Sequence, residues 1–297
     1  MAFPGDQRSP VRVFAAKAPS RQAMVFAPGP GRLVRRPDRL AVEEPLEVRL
    51  SSPAGTSTLG VTMRTPGNDM ELVAGLLLAE GIVDGVDDLA SIAYCVGGAG
   101  RGGGAGRDPN QYNVVTARLR RPPRRAGRER QTVTSSACGA CGTASIDALR
   151  AVGHPVIGPG PRVAVDWLCA LPGVLRREQL CFDETGTVHA AGLAEPGGEL
   201  LVVREDVGRH NAVDKVVGWA LCERRLPLGD AVLVVSGRVS FEIVQKAVRA
   251  GIGVVVAVSG ATSLAVTLAG ELGVTLVGFV RDGRCTVYSG PERLAVG

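Results

Sequence analysis

No apolar run in this 297-residue chain reaches the roughly 18 residues needed to span a bilayer. The stretch Met1 to Ala18 lacks the apolar centre of a signal peptide and carries scattered Arg and Pro instead. These absences argue against a helical membrane protein and a secreted one, and the expectation is a soluble, cytoplasmic chain. A disulfide framework is missing too. Seven cysteines, an odd number at the uneven positions 95, 138, 141, 169, 181, 222 and 285, fit a reducing compartment better than a small stapled scaffold. A broad basic face is the third absence, despite a net charge of +5. Residues 1–40 carry eight basic and two acidic residues, and residues 118–130 carry seven Arg and one Glu, which leaves the remainder at −7. The positive charge sits in two segments and the body is acidic, so a general nucleic-acid-binding role is excluded.

What the chain has is apolar content, 45% hydrophobic with positive mean hydropathy, enough to bury a substantial core. Residues 1–40 are rich in Pro, Gly and Arg without sustained periodicity and are expected to form a disordered basic extension. Leu46 to Leu50 alternates at period two and Leu59 to Met63 reads as a second strand. Asn68 and Glu71 have capping-box spacing ahead of a helix over Leu72 to Ala79, closed by Gly81. The stretch Gly97 to Gly106 is almost all glycine and specifies no packed element, while Tyr112 to Leu119 reads as a strand.

In the C-terminal third, strands at Ala231 to Val235, Val254 to Val258 and Leu276 to Val280 alternate with helices at Phe241 to Ala250 and Leu264 to Leu272. This order implies parallel strands joined by right-handed crossovers. Ligands of such sheets sit beyond the carboxyl ends of the strands, which points to Ser236-Gly237-Arg238, Ser259 to Thr262 and Arg281 to Arg284.

The strongest chemical signal is Cys138-Gly139-Ala140-Cys141-Gly142, which places two thiols within reach of one metal, one disulfide or one persulfide. Structural zinc needs four ligands, and no second pair stands at suitable spacing. A thioredoxin-like oxidoreductase would place its pair early, after a first βαβ-type segment. Here the pair sits mid-chain, ahead of a helix expected from Ala144 to Leu149 whose free N–H groups would lower a thiol pKa.

Five segments together resemble the FdhD family, the formate dehydrogenase accessory sulfurtransferases: Cys138 to Gly142, Arg204 to Lys215, Ser236 to Lys246, Thr262 to Ala265 and Gly278 to Arg281. Their order and spacing extend the resemblance from about Leu40 to the C-terminus. The resemblance implies a homodimeric cytoplasmic sulfur carrier. It would accept persulfide sulfur from a cysteine desulfurase and pass it to the molybdenum of the bis-molybdopterin guanine dinucleotide cofactor, which serves formate dehydrogenase. Guanine nucleotides would bind the same site. It also implies an α/β fold, with a cytidine-deaminase-like core and a mainly parallel C-terminal sheet over residues 131–297, and a smaller β-rich α+β subdomain over 41–130. Deaminase chemistry itself is disfavoured. The three histidines, His154, His189 and His210, lack the His-x-Glu pattern, and Ser-Ala precedes Cys138 where a deaminase has Pro.

By this resemblance Cys138 carries the persulfide and Cys141 assists. The other five cysteines read as buried small hydrophobes. Arg209, His210 and Lys215 are assigned to phosphate or pterin groups, where guanidinium and imidazole donors suit anionic oxygens; the alternative is a capped helix with a solvated charged face. Ser236, Gly237 and Arg238 open a helix and offer N–H groups to an anion. The segment Phe279, Val280, Arg281, Asp282, Gly283 and Arg284 matches the guanine dinucleotide site, with Arg281 and Arg284 for phosphate and Phe279 against a ring, or in the core. The Arg-rich segment 118–130 reads as a solvated loop that could steer an acidic partner. A cofactor chaperone without sulfur chemistry is the competing function.

Overall fold

The structure, a computed structural model, describes residues 18–95, 112–123, 133–134 and 157–296. The glycine stretch, residues 124–130 of the basic segment, Cys138 and Cys141, the helix expected after them and His154 lie outside the described residues.

The expected N-terminal disorder is replaced, from residue 20 on, by a ribbon. Strands β1 (Ser20–Gly29) and β2 (Arg32–Ala41) pair antiparallel along their whole length. They turn at Pro30-Gly31, with Gly31 at φ +69°. The ladder needs only backbone groups, so it forms without the side-chain alternation that sequence reading relies on.

A five-stranded sheet follows, in the order β5-β6-β3-β4-β7. Its strands are β3 (Glu44–Ser52), β4 (Gly55–Arg64), β5 (Leu89–Tyr94), β6 (Val114–Leu119) and β7 (Val133–Thr134). In β3 the period-two pattern buries Leu46, Val48 and Leu50. Helix α1 (Asp69–Ala79) packs on this sheet. The expected capping box is absent: Asn68 sits in the left-handed region and makes no side-chain cap. Glu71 is taken instead by a bidentate pair with Arg204, at 2.5 and 2.7 Å, a stronger partner than a backbone N–H. Gly81 closes the helix at φ +68°, as the sequence predicts.

After β8 (Val163–Ala164) come α2 (Val165–Arg177), α3 (Leu180–Thr185), β9 (His189–Ala194), β10 (Leu200–Asp206) and α4 (Arg209–Cys222). The rest is β11 (Val232–Val235), α5 (Phe241–Arg249), β12 (Val254–Ala257), α6 (Ser263–Glu271), β13 (Thr275–Arg281), β14 (Arg284–Ser289) and β15 (Leu294–Ala295). The second sheet has the order β10-β9-β11-β12-β13-β14. Its centre, β11 to β13, is parallel with helical crossovers, and antiparallel strands flank it on both sides. The fold is α/β. Valine runs fill the centre because both faces are covered: Val232, Val234, Val254 and Val256 meet α2, while Leu233, Val235 and Val255 join the larger core.

That larger core is continuous between the two sheets, running from Leu46 and Leu72 to Val216 and Leu276. Helices α1 and α4 cross at its middle with almost no separation. A Cβ on Gly75 would run into the Asp214 carbonyl, and one on Gly218 into the Glu71 carbonyl. Only glycine on both helices allows that approach.

Candidate functional site at the strand ends

The segment from Arg204 to Lys215 carries opposite charges that the fold sorts into two groups. Asp206 is fully buried at the end of β10. It accepts from Gly208 N at 2.8 Å, Thr65 N at 3.2 Å, Asn211 Nδ2 at 3.0 Å and the Lys215 ammonium at 2.7 Å. Lys215 also donates to the carbonyls of Thr65 and Glu205. Its three donors are therefore satisfied inside the protein, and its expected role as a direct ligand contact is corrected. It positions the loop before α4 instead. Glu205 is held too, accepting from the backbone N–H groups of Cys181 and Phe182.

The second group, Arg209 and His210, opens α4. No acidic residue stands in the first turn of this helix, although the helix dipole favours anions there and penalises cations. The guanidinium Nε of Arg209 is buried and meets no hydrogen-bond partner among the described residues. Beside it lies His189 from the start of β9; burial first, and then the charge of Arg209, lower the imidazole pKa and favour its neutral form. The turn Ser236-Gly237-Arg238 passes between them. A Cβ on Gly237 would stand 3.3 Å from His189 Nδ1 and 3.5 Å from Arg209 Cβ and Cδ. Ser236 is used in this stitching: its hydroxyl accepts from Ala190 N at 2.9 Å, and its own N–H donates to Ala190 O. Arg238 is exposed.

His210 Nε2 lies 2.9 Å from Ser240 Oγ and 3.6 Å from a Glu242 carboxylate oxygen. Interaction with His210, against the opposing effect of burial, brings the Glu242 carboxyl down to about 2. Ser240 stands at the N-cap of α5 but makes no cap bond, because its hydroxyl faces His210. Two helix N-termini, two Arg and two His thus converge on one face.

The loops after β11 and β12 are tied to each other and to the end of β13. Val239 N donates to Gly260 O at 3.1 Å, Thr262 N to Val239 O at 3.0 Å, and Phe279 N to Ser259 O at 3.1 Å. The Phe279 ring covers Gly260, where a Cβ would come within 2.7 Å of it. Phe279 has φ +50° and is 58% exposed. A bulky residue in the left-handed region with its ring in solvent carries strain and lost burial that packing does not repay. Val280 is buried core, and Asp282-Gly283, both at positive φ, form the turn between β13 and β14. Arg281 and Arg284 stand exposed at that hairpin tip, Arg281 beside Asp282 at 3.3 Å.

The sequence reading missed His189, Ser240 and Glu242. The last two lie inside the segment Ser236 to Lys246, but their pairing with His210 depends on α4 and α5 being neighbours in space. His189 precedes a short apolar strand and has no local motif to mark it. Among the described cysteines, burial raises the thiol pKa of Cys169 to about 11, with a further contribution from Cys285, that of Cys222 to about 12, and that of Cys181.

Fold and face together define an α/β protein with a cation-lined surface at the carboxyl ends of its parallel strands. The model of the FdhD/NarQ family matches residues 41–295, and the chain belongs to that family. It is 51% identical over 262 residues to the sulfur carrier protein FdhD of Nocardia farcinica, covering 88% of this chain and 90% of the relative. The protein of the same name from Sulfurisphaera tokodaii is 41% identical, covering 86% and 92%. A crystal structure of a proposed formate dehydrogenase accessory protein from Desulfotalea psychrophila superposes with a TM-score of 0.71 at 23% identity, over 94% of this chain and all of that one, and shows the same fold.

Proposed function

We propose that this chain is a cytoplasmic sulfur carrier that takes persulfide sulfur from a cysteine desulfurase. It delivers that sulfur to a bis-molybdopterin guanine dinucleotide molybdenum cofactor for formate dehydrogenase. The relatives' names support the carrier role. The observation that carries the acceptor is the buried Arg209 Nε, which meets no hydrogen-bond partner among the described residues and whose charge acts on His189. A buried donor without a partner costs about 1–3 kcal/mol, and an anionic oxygen of a phosphate or pterin would satisfy it. The residues present fit that acceptor: Arg209, His210 and Arg238 for anionic oxygens, backbone N–H groups at Gly237 and the α5 N-terminus beside them, and Phe279 for a flat ring. Arg281 and Arg284 can reach out from the hairpin tip to further phosphate. The bound acceptor supplies the metal that takes the sulfur; the chain's residues hold and orient it.

Cys138 acts as nucleophile. Its thiolate attacks the terminal sulfur of the donor persulfide, the donor's S–S bond breaks, and the donor cysteine leaves as thiolate, so no external oxidant is consumed. The raised thiols of Cys169, Cys181 and Cys222 suit them poorly to this step. That supports the Cys138/Cys141 pair as the carrier.

Intact-protein mass spectrometry after incubation with a cysteine desulfurase and cysteine tests the proposal. A gain of one sulfur atom that reductant removes and Cys138→Ala abolishes is expected. No gain while the desulfurase itself is loaded would favour the cofactor chaperone, in which the same face binds the acceptor and the cysteines carry nothing.

A further inference from the structure

The imidazole of His189 stands at the strand-end face without a counter-ion. Asp206 is its cross-strand partner in the β9–β10 ladder, yet that carboxylate is already engaged by Gly208 N, Thr65 N, Asn211 Nδ2 and the Lys215 ammonium. No hydrogen bond joins the imidazole to a described residue. The other charged groups facing it are cations: Arg209 and His210 from α4 and Arg238 from the loop after β11. Arg209 shares a glycine with it, since the Cβ position of Gly237 lies 3.3 Å from His189 Nδ1 and 3.5 Å from Arg209 Cβ and Cδ. Burial, then the charges of Arg209 and His210, favour the neutral ring against the attraction of Asp206. The ring is half-buried, so solvent can exchange a proton with it.

We propose that His189 takes up a proton when this face binds an anion, changing from a neutral ring into a second cation beside Arg209 on the same ligand. The inference rests on the reading that the strand-end face holds an anionic acceptor. An anion at Arg209 Nε offsets the repulsion that the guanidinium exerts on the ring and adds an attraction of its own, and a nearby opposite charge favours protonated histidine. The proton comes from solvent. Affinity must then depend on pH by linkage. It rises as pH falls through the pKa of the ring in the complex, by up to about tenfold per pH unit, and levels off below the pKa of the ring in the free chain. His210 is the competing proton acceptor. It already faces the Glu242 carboxylate at 3.6 Å and Ser240 Oγ at 2.9 Å, so it has a counter-ion before any ligand arrives, whereas His189 gains its first from the ligand. Arg209 and Arg238 stay charged throughout. The arrangement spares the empty face one more positive charge and ties release of the ligand to loss of a proton.

Isothermal titration calorimetry of the full chain with diguanosine diphosphate tests it. The pyrophosphate diester of this probe, like that of the proposed acceptor, does not titrate near neutrality, so any proton exchanged belongs to the protein. In buffers of low and high ionisation enthalpy the wild type is expected to take up a proton on binding, and to bind about 3- to 10-fold more tightly at pH 6 than at pH 7.5. In His189→Gln both the uptake and the pH dependence are expected to vanish while binding persists. A second measurement leaves the side chain in place. The chain has three histidines, so its imidazole proton resonances are few. The one that His189→Gln removes is expected to titrate below the usual range near 6.5 in the free chain and to move up when the dinucleotide is added. Binding without proton uptake, uptake retained in His189→Gln, or a His189 resonance that titrates alike with and without the probe would each overturn the proposal and leave the anion site standing. No binding at either pH would overturn the reading of this face as an anion site, and this inference with it.

Discussion

Arg209 is the residue where stability and function part. A guanidinium in the first turn of α4, whose buried Nε meets no hydrogen-bond partner among the described residues, opposes the helix dipole. Arg209→Ala is therefore expected to leave unfolding stability unchanged or raise it by about 0.3–1 kcal/mol. The same variant should weaken guanosine diphosphate binding about 10- to 100-fold, as measured by calorimetry. A loss of stability with binding intact would make Arg209 a structural residue. Glu242 gives a pH signature. Its folded-state pKa of about 2 is depressed below the usual value near 4.3, so its contribution is fully present above the unfolded pKa and is lost as pH falls through the folded one. Denaturation midpoints of wild type and Glu242→Gln should differ at pH 5 and converge toward pH 2. A gap that stays constant across that range would show that Glu242 stabilises by packing alone. At this scale the sequence was legible in part. Arg209, Arg238 and Phe279 are displayed at the strand ends, but Lys215 is withdrawn into a buried network with Asp206 and Thr65. Sequence spacing alone cannot say which side of a helix start faces inward.

Among the elements, the alternating strands and crossover helices of the C-terminal third were readable because each is specified locally, by β-branched runs and glycine stops. The ribbon was not, because Pro, Gly and Arg hide a ladder made of backbone bonds; only Pro30-Gly31 marked its turn. The α1/α4 crossing was also hidden. Gly75 and Gly218 look like weak points in two helices, each costing about 1 kcal/mol against Ala in an isolated helix. In the fold each faces a carbonyl of the other helix, Asp214 for Gly75 and Glu71 for Gly218. The propensity rule consequently reverses. Gly218→Ala should destabilise by about 3 kcal/mol or more by forcing the helices apart, read as a fall in the urea midpoint. A neutral or stabilising result would mean that the crossing relaxes freely.

At the scale of the molecule, that crossing joins two sheets that the sequence presents as separate subdomains. The larger core takes Leu46, Leu72 and Ile92 from the first half and Val216, Val244 and Leu276 from the second. The bidentate Arg204–Glu71 pair and the Lys215–Thr65 bond reach across the same seam. The loop that presents Arg209 is fixed partly by Thr65, at the end of the first sheet, so the face at the strand ends depends on both halves. Separate melting of the halves would expose apolar surface on each and break these buried bonds. The described body is thus expected to unfold in one transition. The two tryptophans provide the test, since Trp167 lies on α2 against the second sheet and Trp219 lies on α4 beside the larger core. Variants that keep one tryptophan each should give fluorescence midpoints that coincide with each other and with far-ultraviolet circular dichroism. If Trp219 reported an earlier transition than Trp167, the α1/α4 seam would be a true domain boundary. The face that Arg209 occupies would then be assembled by docking rather than by folding.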